Sequence, residues 1–320
     1  RHSHLMDYWF TGTRNILELI RLKYQKRPMH KVLVSRNYSF PDLKRQTPGE
    51  TGIWNNIELV EGDITDADFI VVFNQPSANI NCKAFEGGSW LFLQEPPYAR
   101  NEYFKLNFRF VDKVISGFEE KGEKFEQAQA GLPWHINRSY DQLMSLSHSD
   151  LQKQDRISWI TSNNNMFPGH QPRIDFIEHL NSIGYDYDLF GRGFQPIDDK
   201  FDGIAPYKYS IAVENYSAKD YWTEKAIDCI LSWTVPLYFG CTNMGDYFPE
   251  GSFIELDITD KEGAVQQMNE IIKSNHWEEN LKAIEEARQL ILNEYQMFPM
   301  LEKRIAQFLE NGSPAKKLHK

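Results

Sequence analysis

The stretch Ser-Ile-Ala-Val-Glu-Asn-Tyr-Ser-Ala-Lys-Asp-Tyr-Trp-Thr-Glu-Lys, residues 210–225, places Glu214, Asn215, Glu224 and Lys225 within a dozen positions. Glu214 ends, and Asn215 follows, an apolar run of strand length, residues 207–214. Glu224 and Lys225 open a second segment in which Ala226, Ile227, Ile230, Leu231 and Val235 recur at helical spacing. Polar groups gathered at the end of a strand and the start of a helix suit a charged, polyhydroxylated ligand.

Thr223 is the expected N-cap of that helix. The free N–H groups and positive potential of a helix start favour an anion. A lysine there opposes the usual preference for acidic residues, and a bound diphosphate would account for it, since an ammonium acts on phosphate as a point charge. Glu224 could accept two hydrogen bonds from vicinal sugar hydroxyls. The same residues are equally compatible with a capped helix bearing solvated charges, and Glu214-Asn215 with a simple turn.

The elements that must hold such a site alternate along the chain. Residues 31–36, 66–75, 89–97 and 112–118 read as strands, with helical stretches at 5–25 and 101–110. Residues 138–156 are polar, without a continuous apolar face, and are read as a linker. Alternation resumes with strands at 156–163, 185–191, 207–214, 234–240 and 252–258 and helices at 171–184 and 223–233. Residues 261–311 are expected to be mostly helical and the tail beyond them disordered. Strands alternating with helices imply parallel sheets joined by right-handed crossovers. The expected fold is therefore α/β, two Rossmann-like domains facing across a cleft, residues 1–150 and 151–320. Ligands of such sheets bind at the carboxyl ends of the strands.

Gross composition narrows the function. The chain has 320 residues, 41% hydrophobic and 25% charged, enough for two cores. A formal charge of −10 opposes a broad nucleic-acid surface, which needs clustered cations. Three sparse cysteines, Cys82, Cys229 and Cys241, make neither a disulfide framework nor a zinc site and favour a reducing compartment. No apolar run reaches transmembrane length. The opening Arg-His-Ser-His reads as an added tag remnant. A dinucleotide-type Gly-x-Gly-x-x-Gly is absent, which disfavours a nicotinamide dehydrogenase. Asp186-Tyr187-Asp188 looks like a metal-binding pair of acids but lies in a strand-like run. His135 has no partner visible in sequence.

The 207–253 region resembles the signature of glycosyltransferase family 10, the α-1,3/4-fucosyltransferases. Glu214-Asn215, Tyr221, Thr223-Glu224-Lys225, Val235-Pro236 and Gly240 stand at the family's spacing. Val213, Tyr216 and Trp222 depart from it, and Trp222 is expected to alter the fit of sugar or base. The resemblance implies further residues. Arg173, in a helix following a strand that ends in Ser162-Asn163, would contact the donor diphosphate, with Ser162 and Asn163 lining the same site. Glu95, in Trp-Leu-Phe-Leu-Gln-Glu-Pro-Pro, would be the general base. Glu214, Asn215, Tyr221 and Glu224 would hold fucose, ribose or guanine.

What the resemblance implies is a GT-B enzyme of bacterial type. It would carry L-fucose from GDP-β-L-fucose to a glycan hydroxyl with inversion, in α-1,3/4 linkage to N-acetylglucosamine. Arg173 and Lys225 would take the place of a divalent metal, so that none is required. The partners implied are GDP-fucose and an oligosaccharide acceptor, and the location cytoplasmic, peripheral to the inner membrane. A GT-B transferase for another nucleotide sugar, and a catalytically inactive carbohydrate-binding protein, are also compatible with the residues.

Overall fold

The computed structural model describes residues 29–118, 121–310 and 312–319, with backbone alone at 99–103. The helix expected at 5–25 lies outside the described residues. In chain order the first sheet takes β1 (His30–Arg36), β2 (Ile53–Trp54), β3 (Ile57–Val60) and β4 (Phe69–Phe73). After β5 (Cys82–Phe85) it continues with β6 (Ser89–Leu93), β7 (Lys113–Ser116) and β8 (Phe125–Gln127). Its order is β2-β3-β1-β4-β6-β7-β8, parallel throughout except at β2. β4 and β6 are buried along their whole length, as continuous apolar strands covered on both faces must be.

The second sheet is built from β9 (Gln154–Ile160), β10 (Asp188–Phe190), β11 (Tyr207–Val213), β12 (Val235–Phe239) and β13 (Ile254–Glu255). Its order is β10-β9-β11-β12-β13, all parallel. Both sheets reverse their winding next to their first strand, between β1 and β4 and between β9 and β11. A crevice opens at the carboxyl end of the strands at such a switch point. Here the two crevices face each other.

The segment expected as a linker is partly ordered: Ser139 caps the Tyr140–Ser145 helix with a full capping box, and Leu143 is buried. Two further departures involve the chain's end. Met297, Phe298, Leu301 and Ile305 of the Met297–Leu309 helix pack against β1, β4 and β6 of the first sheet, not against the second. The tail expected to be disordered forms β14 (Lys316–His319), antiparallel to β5. Lys316 bonds Asp66 at 2.7 Å and Lys317 bonds Asp112 at 3.1 Å, so acidic residues of the first half draw in the basic tail. The chain thus crosses back, so that its C-terminal helix and strand cover and extend elements of its first half.

Candidate functional site

β11 runs buried to Val213, and the next residue, Glu214, is also buried. Its carboxylate accepts from the Thr223 backbone N–H and hydroxyl, each at 2.7 Å, from Lys225 Nζ at 3.2 Å and from the Tyr238 hydroxyl at 3.3 Å. A buried carboxylate persists only when so many donors replace water. Gly240, at the end of β12, makes the room: a β-carbon there would overlap Glu214 Cγ. Glu214 is therefore no turn residue. It fastens the loop to the start of the Glu224–Leu231 helix, whose N-cap is Thr223 as the sequence indicates.

Lys225 reaches Glu214 at 3.2 Å and Glu224 at 3.7 Å. Burial would lower its ammonium, but the carboxylates of Glu214 and Glu224 outweigh it and hold the pKa above the usual lysine value. Glu224 faces Lys200 at 3.4 Å and His135 at 3.8 Å. Burial would raise its carboxyl, but Lys225, Lys200 and His135 keep it well below the ordinary range. Asp228, one turn later on the same helix and buried, accepts from Lys200 at 3.2 Å and from the His135 N–H at 2.7 Å. His135, without a visible partner in sequence, is thereby drawn to the helix bearing Glu224.

Arg173 lies on the inward stripe of the Gln171–Ser182 helix with Phe176, Ile177 and Leu180. A solvated position is excluded, since the residue is 4% exposed. Its guanidinium donates to Asn215 Oδ1 at 3.1 Å and to the Asn164 carbonyl at 2.6 Å, and Nε meets no partner among the described residues. Both bonded partners are neutral. Beside it His170 is buried, and desolvation, then Arg173 and Lys225, push its pKa down to about 4.

A cavity of about 320 Å³ joins the two halves. Tyr38, Asn74, Gln94 and Glu95 line it from the first sheet's carboxyl ends, and Asn215, Tyr221, Thr223, Glu224 and Lys225 from the second. His135 lines it from the crossover. Among the sequence candidates, Glu95, Asn215, Tyr221, Glu224 and Lys225 meet there. Glu214 stands behind Lys225, and Arg173 behind Asn215. Ser162 and Asn163 do not line it; the Asn163 N–H bonds the Arg192 carbonyl at 3.0 Å and its side chain lies against Gly193. Trp222, expected to shape the pocket, is instead core, edge-on to Tyr247, Phe248 and Tyr295. Asp186 and Asp188 share the Arg156 guanidinium at 2.8 and 3.0 Å. Asp228 was detectable, standing four residues after Glu224 on an otherwise apolar helix. Lys200, Tyr38 and Asn74 carried no local signal.

Residues 151–280 match the family described as glycosyltransferase family 10 (fucosyltransferase), C-terminal part. The chain is similar to bovine alpha-(1,3)-fucosyltransferase 4, 32% identical over 113 residues, 33% of this chain and 27% of the relative. It is also similar to alpha-(1,3)-fucosyltransferase FucT of Helicobacter pylori, 29% identical over 155 residues, 47% of this chain and 29% of the relative. The chain thus spans less than a third of either curated relative's length. Among solved structures, an alpha1,3-fucosyltransferase with GDP aligns with a TM-score of 0.51 at 17% identity, over 86% of this chain and 93% of that one. An alpha-glucosyltransferase in complex with UDP and DNA aligns at 0.56 and 10% identity, over 89% of this chain and all of the other. At such identities the likeness concerns architecture, and that architecture is GT-B.

Proposed function

We propose that the chain is an inverting fucosyltransferase. It takes L-fucose from GDP-β-L-fucose and passes it in one displacement to a hydroxyl of a glycan acceptor of the N-acetylglucosamine type, in α-1,3/4 linkage. The observation that carries this reading is that Glu95 of one sheet and Lys225 of the other line the same cavity, with Arg173 one side chain behind it. Glu95, at the edge of the crevice, takes the proton of the attacking hydroxyl. The departing GDP gains charge, and Lys225 and Arg173 stabilise it without a divalent metal. Among the described residues Arg173 bonds only neutral oxygens, so a phosphate would complete its charge-assisted hydrogen bonds. Tyr221, Asn215 and Glu224 face the sugar or nucleoside. The first sheet forms the acceptor side and the second the donor side. Trp222, being core, gives no ground for a different donor.

Calorimetry with GDP, UDP and ADP, followed by transfer from GDP-fucose to a panel of glycan acceptors, tests the reading. Selective GDP binding with fucosylated product is expected. Equal affinity for the three nucleotides, or GDP binding without any turnover, would overturn it.

A further inference from the structure

Glu95 has to be held at a fixed distance from groups on the other sheet, and the chain around it shows how. On its N-terminal side, Gln94 is tied to the first half: its N–H donates to Asn74 Oδ1 at 2.7 Å and its Nε2 to the Gly131 carbonyl at 3.0 Å. On its C-terminal side, Pro96 and Pro97 stiffen the backbone and deliver Tyr98 onto the second half. The Tyr98 ring stacks on Phe167, centroids 4.9 Å apart with planes 6° from parallel. Its hydroxyl donates to the Asn215 carbonyl. Gly169 permits this approach, since a β-carbon there would overlap both the Asn215 carbonyl oxygen and the Tyr98 hydroxyl. The same Asn215 accepts from Arg173 through its side chain.

We propose that Tyr98 is a positioning residue that fixes the Glu95 loop against the Asn215–Arg173 side of the cavity, setting the base relative to the donor phosphates. Asn215 then joins the two halves, its carbonyl holding the loop and its amide oxygen holding the arginine. The inference rests on the role of Glu95 given above.

The test compares the intact chain with Tyr98→Phe, Glu95→Gln and the double variant. Turnover of GDP-fucose, GDP affinity by calorimetry, and hydrogen exchange at the Glu95 and Tyr98 amides are measured. Tyr98→Phe keeps the stacking and removes only the hydroxyl. Its kcat is expected to fall roughly 10- to 100-fold, the effect of displacing a reacting group by about an ångström, with GDP affinity unchanged. In the Glu95→Gln background the same change should cost nothing further, because two residues acting as a unit are not additive. Equal losses in both backgrounds, or wild-type kcat in Tyr98→Phe, would overturn the proposal. A wild-type chain inert toward GDP-fucose would instead count against the proposed function. The exchange measurement then still decides the tether: faster exchange in Tyr98→Phe supports it, and unchanged exchange refutes it.

Discussion

Glu214 Oε2 lies 3.2 Å from Lys225 Nζ, and the carboxylate side chain has no exposure to solvent. The relationship makes the lysine's position a property of the strand behind it rather than of its own flexible stem. Removing either partner strands a charge in a region of low polarity. We expect Glu214→Ala to destabilise the chain by ~3–5 kcal/mol, measured by urea unfolding. Gly240→Ala, which crowds the same carboxylate, should destabilise in the same direction. Wild-type stability in both variants would disprove the anchoring role.

Lys225 and Arg173 should differ in their contributions to GDP binding. Lys225 is already matched by Glu214 and Glu224, whereas Arg173 is bonded to neutral oxygens. A charge-assisted hydrogen bond contributes ~1.5–3 kcal/mol, so Arg173→Ala should weaken GDP by roughly 10- to 100-fold. Lys225→Ala should weaken it less. Calorimetry on the two variants gives the ranking directly, and the opposite order would show that the Glu214 contact is released when the nucleotide enters.

Glu95 should separate turnover from binding. With Glu95→Ala, transfer is expected to fall by ~10²–10⁴-fold while GDP affinity stays within error. A variant that still transfers at the wild-type rate would remove Glu95 from the chemistry.

His170 gives a pH signature. Its pKa in the folded chain is about 4 against an ordinary 6.5, so between those values the unfolded chain binds more protons. Stability from this group is therefore full above pH ~6.5 and declines as pH falls toward ~4, by on the order of 1–3 kcal/mol. His170 Nδ1 is buried without a partner among the described residues, in keeping with a neutral ring. Unfolding profiles across this range should be steeper for wild type than for His170→Gln. Identical slopes would contradict the assignment.

Much of this protein was legible in its sequence because the signals are local. Apolar runs of strand length and a 3.6-residue stripe reveal β4, β6, β11 and the Glu224–Leu231 helix without reference to the rest of the chain. Thr223 caps from two residues away. Spacing also tied Glu214, Asn215, Tyr221, Glu224 and Lys225 to one short segment. What that segment does was not local. Whether Glu214 faces a ligand or supports Lys225 depends on Gly240 and Tyr238, which reach it only through sheet pairing. Arg173 could be placed on a helix but not turned inward until Phe176 and Leu180 had a core to fill. Trp222 stands next to cavity-lining residues in sequence yet packs with Tyr247 and Tyr295 in the core. Lys200 and His135 come from other parts of the chain, and only folding makes them neighbours of Glu224 and of Asp228 on its helix. The tail's pairing with β5 was equally hidden, because a short basic segment has no strand signal of its own and gains order from Asp66 and Asp112. Sequence determined which residues could carry charge at element ends; the tertiary fold decided which charges compensate each other and which remain for a ligand, since Coulomb interactions and desolvation depend on distance through space and not along the chain.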